Sequence, residues 1–292
     1  MTAGPSLHFV GMTTIDIVQV ADVFPEPDRK GWARHAYLDV GGPAANAAIT
    51  ASLLGSPVSL HSTFGEGAMG GLVEGLFAPY DLARVGYGDS GGVPVSSIWV
   101  AEATGDRTLL STAASFDGPK PDYVDLDQAG AVLFDGFYPD LARVAVEAAA
   151  EREIPVVLDC GAWREVFLDL LPLASVAIIS EQFELPGRPA ASSEEVVAAL
   201  LGKYPLRLVA VSRGAGSIIW ATPAGAGELP VLPVSAVDTL GAGDVLHGAF
   251  MHFAYWEGLD DLTALERAAV VATRSCEHFG TRAGVAAWVG AF

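Results

Sequence analysis

Positive charge is scarce in this chain: 16 lysines and arginines stand against 35 acids, a formal net charge of −19. That balance argues against nucleic acid or an anionic membrane surface as a partner. It also removes long-range steering of an anionic ligand, so any anion site must be local, built from backbone amides and a few cations. Cysteine is nearly absent. Cys160 and Cys276 form neither a disulfide framework nor zinc-ligand spacing, and each lies in or just after an apolar segment, as a small buried hydrophobe would. The six histidines show no metal-ligand spacing either, and His247 and His252, five apart on one predicted helix, fall on different faces. No apolar run is long enough to span a bilayer, and the chain does not open on a basic segment followed by an apolar one. A soluble, cytoplasmic protein is expected. No Gly-x-Gly-x-x-Gly follows the first strand-like run, which disfavours a dinucleotide-binding oxidoreductase.

What is present is apolar and alternating. Hydrophobic residues make up 51% of the 292 and charged residues 17%, which suits a large core and excludes disorder. Strands are predicted at Leu7–Gly11, Val58–Phe64, Ala131–Asp135, Val156–Asp159, Val176–Ile179, Leu206–Ser212, Ser217–Ala221 and Leu229–Val234. Helices are predicted at Pro43–Leu54, Glu66–Phe77, Leu141–Glu153, Ser193–Lys203, Val245–Trp256 and Leu259–Phe279. This repeated order implies one α/β domain over residues 1–292, a doubly wound, mostly parallel sheet with helices on both faces. Two excursions break the pattern, at about 13–40 and 93–111. The first alternates and carries Pro25 and Pro27; the second turns at Thr104-Gly105-Asp106, a hairpin composition. Strands with one wet face do not belong in a parallel sheet, and these are predicted to form a small separate β-layer.

Asp238-Thr239-Leu240-Gly241-Ala242-Gly243-Asp244 carries the most chemistry. It lies between the apolar run Leu229–Val237 and a helical pattern from Val245. Two glycines within three residues let the backbone turn sharply and bring several N–H groups near one ligand. The helix start behind them adds unpaired N–H groups and partial positive charge. A Gly-x-Gly-Asp alone reads as a helix cap. In the full string the terminal carboxylate would repel a resting phosphate, and it makes better sense handling the proton of a nucleophile that attacks one.

This string resembles the C-terminal signature of the ribokinase (PfkB) family of ATP-dependent carbohydrate and nucleoside kinases. The resemblance implies an anion hole at Gly241, Ala242 and Gly243 and a catalytic base at Asp244. Gly41-Gly42-Pro43-Ala44-Ala45-Asn46 is similar to the family's N-terminal signature, with Asn46 presenting a donor and an acceptor suited to sugar hydroxyls. Ketohexokinase-like members often have a second Asn after the Gly pair, where this chain has Pro43. Asp16, soon after the first strand, matches an Asp that accepts from two sugar hydroxyls. Gly105-Asp106-Arg107-Thr108 looks like the family's lid hairpin, which makes Arg107 the candidate cation near substrate or phosphate.

Val211-Ser212-Arg213-Gly214-Ala215-Gly216 looks like the family's nucleotide-binding turn, and Ile178 to Glu184 aligns with its magnesium-orienting segment. Ribokinase proper has Asn and, three residues on, Glu, where this chain has Ser180 and Phe183 with Glu181 and Glu184 nearby; no metal-binding residue is assigned. Trp163, in Asp159-Cys160-Gly161-Ala162-Trp163-Arg164, is read as a packing residue. The resemblance implies ATP as donor with Mg²⁺, with a monovalent cation as a further candidate, and a sugar or polyol accepting at a primary hydroxyl. A nucleoside kinase and a non-catalytic sugar- or nucleotide-binding sensor are the alternatives, the second disfavoured by the intact base. Ile15, Ile17, Trp99 and Val100 are many large apolar groups for a thin layer, so a homodimer through the lids is expected.

Overall fold

The architecture is taken from a computed structural model that describes residues 5–87, 92–102, 107–113, 118–188 and 190–290. In chain order it runs β1 (Ser6–Val10), β2 (Thr14–Ala21), β3 (His35–Gly41), α1 (Pro43–Leu53), β4 (Val58–Ser62), α2 (Gly67–Phe77), β5 (Ala83–Gly86), β6 (Val95–Ala101) and β7 (Arg107–Ser111). It continues through β8 (Ala129–Phe134), α3 (Pro139–Glu151), β9 (Val156–Cys160), the short α4 (Phe167–Leu170), β10 (Val176–Ser180), α5 (Ser193–Lys203), β11 (Leu208–Arg213), β12 (Gly216–Thr222) and β13 (Gly225–Leu229). Three helices end it: α6 (Ala242–Met251), α7 (Asp261–Ser275) and α8 (Thr281–Val289).

The large sheet has the order β13-β12-β11-β10-β9-β8-β1-β4-β5. It is parallel from β5 to β11 and closes with the antiparallel β11–β12–β13 edge. Both faces are covered, so its strands read as unbroken apolar runs. Alternation survives inside them: Leu7, Phe9, Leu133, Ile178 and Ala210 join the core beneath α1, α6 and α7. Val10, Phe134, Ile179 and Val211 join the core beneath α3 and α5. No helix among the described residues is long and apolar enough to cross a membrane.

The two excursions do form a separate sheet, in the order β3-β2-β6-β7, with β2 and β6 parallel and the outer pairs antiparallel. The hairpin tip Thr104-Gly105-Asp106 lies outside the described residues. Asp16, Val18, Tyr37, Asp39, Ser96, Ile98 and Leu109 line one face. By alternation Ile17, Leu38, Trp99 and Leu110 belong to the other, and Leu110 is 77% exposed. Ile15 and Val100 are buried and form no part of an outer apolar surface.

Three expectations about the C-terminal half need correction. The predicted strand Leu229–Val234 is instead β13 at Gly225–Leu229, and the chain is irregular from there to the start of α6. Pro230 and Pro233 have no N–H to give a ladder. The predicted helix starting at Val245 starts at Ala242, and His252–Trp256 forms a π-helical turn. The helix expected to reach Phe279 stops at Ser275, and Gly280 caps a separate α8. β5 carries no strong β pattern and was not expected.

Helix α6 lies unusually close to α1. A Cβ added at Gly248 would sit 2.2 Å from the Ala47 carbonyl oxygen and 2.8 Å from Thr50 Cβ. Alanine is the better helix former by about 1 kcal/mol, but overpacking a helix interface costs about 1–3 kcal/mol, so the steric cost wins. Gly248→Ala is therefore expected to lower the unfolding midpoint despite its higher helix propensity. A thermal melt checks it, and an unchanged or raised midpoint would show that α1 and α6 have room to part.

Candidate active site

The loop before α6 is tied down at several points. Asp238 accepts from the amides of Leu240 (2.9 Å) and Gly280 (3.0 Å), and Thr281 donates its hydroxyl to the Leu240 carbonyl at 2.7 Å. The amides of Val237 and Asp238 donate to the Cys276 carbonyl. Gly241, in the left-handed region at φ 72°, is the N-cap of α6. The helix's first internal bond runs from the Val245 amide to the Gly241 carbonyl, 2.9 Å. The amides of Ala242, Gly243 and Asp244 therefore precede the helix's internal bonding, and that of Ala242 makes a long turn bond to the Thr239 carbonyl at 3.4 Å. Asp244 is in this first turn rather than ahead of it, where a carboxylate also meets the positive end of the helix.

Asp244 forms part of a cavity of about 720 Å³ between the two sheets, together with Asp16, Asp39, Asn46, Arg164, Gly241 and Arg282. The Asn46 amide nitrogen, on α1, donates to Asp244 Oδ2 at 2.7 Å. Its Oδ1 accepts from Arg282 at 3.1 Å. Arg282 also pairs with Asp39 and donates to the Val40 carbonyl. One continuous chain thus joins β3, α8, α1 and α6. Asn46, expected to face sugar hydroxyls, spends its amide on Asp244 and Arg282. The glycine pair likewise has an internal reason: a Cβ at Gly41 would lie 2.0 Å from Asp16 Oδ2, and one at Gly42, at φ 95°, would lie 2.4 Å from the Met12 carbonyl oxygen. Asp16 accepts from the Thr14 hydroxyl at 2.6 Å and opens on the cavity.

Behind Asp244 lie two buried carboxyls at the ends of β8 and β9. Asp135 accepts from the amides of Met12 (2.8 Å), Ala44 (3.1 Å) and Phe137 (2.9 Å). Asp159 faces the His247 ring at 3.5 Å. His247 fixes the first turn of α6 to the sheet, with Nδ1 2.7 Å from the Gly243 carbonyl oxygen and Nε2 3.1 Å from that of Ile178. Burial raises the pKa of Asp244 to about 7, and the Asp159 charge adds to the rise; the Asn46 bond, His247 and the remaining neighbours act more weakly, Asn46 and His247 lowering it. Burial likewise raises Asp135 to about 6, against the amides of Phe137 and Met12. Asp16 and Asp39 are raised for the same first cause, with Arg282 opposing in both.

The expected nucleotide residues gather elsewhere. Ser180 and Ser212 are register partners at the ends of β10 and β11, with Glu181 next in line donating its amide to the Ser212 carbonyl. Gly214, at φ 57°, and Gly216 make the β11–β12 turn. Arg213 is engaged by the Ser217 carbonyl of β12 (2.7 Å) and by Glu228 of β13 (3.1 Å). None of these lines the cavity. Arg107, on β7, does not line the cavity either, but its Nη1 donates to Thr239 Oγ1 at 3.1 Å, inside the signature loop. Trp163 packs on Phe167 and Phe183. No cluster of three acidic, histidine or cysteine side chains among the described residues converges on a metal position. Glu181 and Glu184 are exposed carboxylates just beyond β10, hard oxygen donors of the type Mg²⁺ takes, but no third such ligand converges with them among the described residues.

Sequence reasoning passed over Asp135, Arg164, His247 and Arg282. Asp135 ends a parallel strand, where α/β sites form, and that position was a usable signal. Arg282 gave none, because its role depends on a helix that folds back onto the small sheet.

Comparison with known proteins places these residues in a family context. The family model for pfkB family carbohydrate kinase matches residues 5–288. A ribokinase of Bacillus subtilis is 24% identical over 291 residues, covering 94% of this chain and 94% of that protein. Among solved structures, ribokinase from Thermotoga maritima superposes with TM-score 0.78 at 21% identity over 98% of both chains. Arabidopsis thaliana ribokinase complexed with ribose and ATP does so with TM-score 0.76 at 22% identity, over 98% of this chain and 99% of that one.

Proposed function

This chain belongs to the pfkB family of carbohydrate kinases, and on that premise we propose that it transfers the γ-phosphoryl group of ATP to a primary hydroxyl of a sugar or sugar-like polyol. The observation that carries the reading is the position of Asp244: one carboxylate, at the start of a helix whose first amides precede its internal bonding, opening on a cavity also lined by Asp16, Asp39 and Asn46. In this reading the cavity is the acceptor site, the amides of Gly241, Ala242 and Gly243 form the anion hole, and Asp244 is the base. The ribose and ATP of the Arabidopsis complex support the ligand classes.

The chemistry follows from magnitudes. A sugar hydroxyl is far too weak an acid for a carboxylate to deprotonate before attack. The loose transition state of phosphoryl transfer places little charge on the nucleophile early. Asp244 therefore orients the hydroxyl and receives its proton late, a role worth about 10²–10⁴ in rate. Each well-aimed backbone donor to the migrating phosphoryl contributes about 3 kcal/mol. Asp16 accepts from acceptor hydroxyls, and Arg107, held against Thr239, adds positive charge beside the anion-hole loop. When bound with ATP, Mg²⁺ neutralises part of the triphosphate charge; Ser180, Glu181, Ser212, Gly214 and Gly216 border the nucleotide in this reading.

The small sheet serves as a lid that excludes water from the phosphoryl group. Its outer face, with Ile17, Leu38, Trp99 and Leu110, suits the same face of a second copy, so a lid-to-lid homodimer in the cytoplasm completes the proposal. Sedimentation at micromolar concentration is expected to give a dimer; a monomer with and without ligands would place no second copy on that face.

Asp244→Asn is expected to lower kcat at least about a hundredfold with ATP affinity little changed, since the proton acceptor alone is lost. Asp16→Ala should instead raise the acceptor KM far more than that for ATP. Both are read from ADP release with MgATP. Near-normal turnover by Asp244→Asn would remove the base assignment.

A further inference from the structure

The cavity holds two guanidinium groups, and they are used differently. Arg282 is fully engaged by Asp39, the Val40 carbonyl and Asn46. Arg164 has no acid within ion-pair distance among the described residues, in a chain whose acids outnumber its cations by more than two to one. Its polar contact is the Ala162 carbonyl at 3.4 Å, and its guanidinium carbon sits 3.5 Å from the centre of the Phe137 ring. Stacking fixes the plane of the group, and Arg164 and Phe137 both line the cavity. Asp135 and Asp159 feel its charge, but neither occupies its donors: Asp135 is satisfied by three backbone amides and Asp159 faces His247.

We propose that the acceptor carries its own oxyanion, a carboxylate or a phosphate, and that Arg164 binds it. This rests on the reading of the cavity as the acceptor site. A planar, permanently charged fork with free in-plane donors matches a carboxylate or phosphate edge. The rest of the cavity repels such a group, because Asp16, Asp39 and Asp244 line it. The two demands orient one molecule. Its anionic end lies on the Arg164–Phe137 wall, its hydroxyls toward Asp16, and the reacting hydroxyl at Asp244. The volume of about 720 Å³ accommodates a chain of that size beside the migrating phosphoryl. A neutral sugar could meet the Arg164 edge only with hydroxyl oxygens and would forgo the stronger, bidentate pairing with an oxyanion.

The test compares matched acceptors under MgATP: ribonate against ribose, gluconate against glucose, and fructose 6-phosphate against fructose. In at least one pair the anionic member is expected to have a kcat/KM at least about tenfold higher. Arg164→Gln should collapse that ratio toward one, mainly through acceptor KM, while Arg164→Lys keeps part of it. The pair that responds tells carboxylate from phosphate. Neutral members that are equal or better in every pair would overturn the proposal, as would Arg164→Gln slowing both members alike. Calorimetric binding of ribonate and of fructose 6-phosphate to parent and variant decides the matter independently of turnover. If no acceptor releases ADP, the kinase reading fails, while loss of anion binding in Arg164→Gln still upholds the anion site and equal binding overturns it. A melting curve of each variant verifies that it is folded.

Discussion

Everything at this site depends on keeping one carboxylate where the backbone favours an anion and burial disfavours a charge. Asp244 gains from the helix start, about 0.3–1 kcal/mol and up to about 2 when partly buried. The Asn46 bond, a hydrogen bond to a charged group, adds about 1.5–3 kcal/mol. Against these stand a desolvation cost of several kcal/mol and repulsion from Asp159 and Asp135. The cost outweighs the gain, and for that reason the proton affinity of Asp244 rises toward neutrality, while the Asn46 bond keeps it from rising further. A group balanced in this way suits a base that must release its proton after each turnover.

The balance is maintained from a distance. Asn46 can donate to Asp244 because Arg282 occupies its oxygen, and Arg282 is held by Asp39 and Val40 on the small sheet. The segment that delivers Arg282 also supplies Gly280 and Thr281 to clamp the signature loop. The last helix is therefore part of the site, and it joins the large sheet's helices to the small sheet across the cavity. Gly248 works in the same structure by letting α6 approach α1, which brings Asp244 within reach of Asn46.

How much of this was legible in the sequence varied with how local the cause was. The parallel sheet could be read because both faces are covered and its strands are continuous apolar runs. The signature loop could be read because two glycines, a helix start and an acid need only seven residues to declare themselves. Asp16 and Asn46, expected to meet sugar hydroxyls, both line the cavity, but the amide partners of Asn46 come from α6 and α8, 198 and 236 residues away, and no local pattern announces them. β13 was misplaced because apolar residues between prolines imitate a strand while Pro230 and Pro233 prevent one. The break at Gly280 was hidden by apolar and polar spacing that runs on as if helical.

A strongly acidic protein has to handle anions with whatever cations it places by hand, and here they are few: Arg107 at the signature loop, Arg282 within the polar chain, Arg164 on the cavity wall. Their positions, not the overall charge, decide what the cavity admits. The central claim remains the balanced charge of Asp244, and the most direct measurement is a ¹³C carboxyl NMR titration of aspartate-labelled protein, with Asp244→Asn identifying the resonance. The account predicts a midpoint near 7 for that carboxyl. A midpoint at the ordinary carboxylate value of about 4 would contradict it, showing that solvent in the cavity screens Asp244 and that its proton affinity is not set by burial.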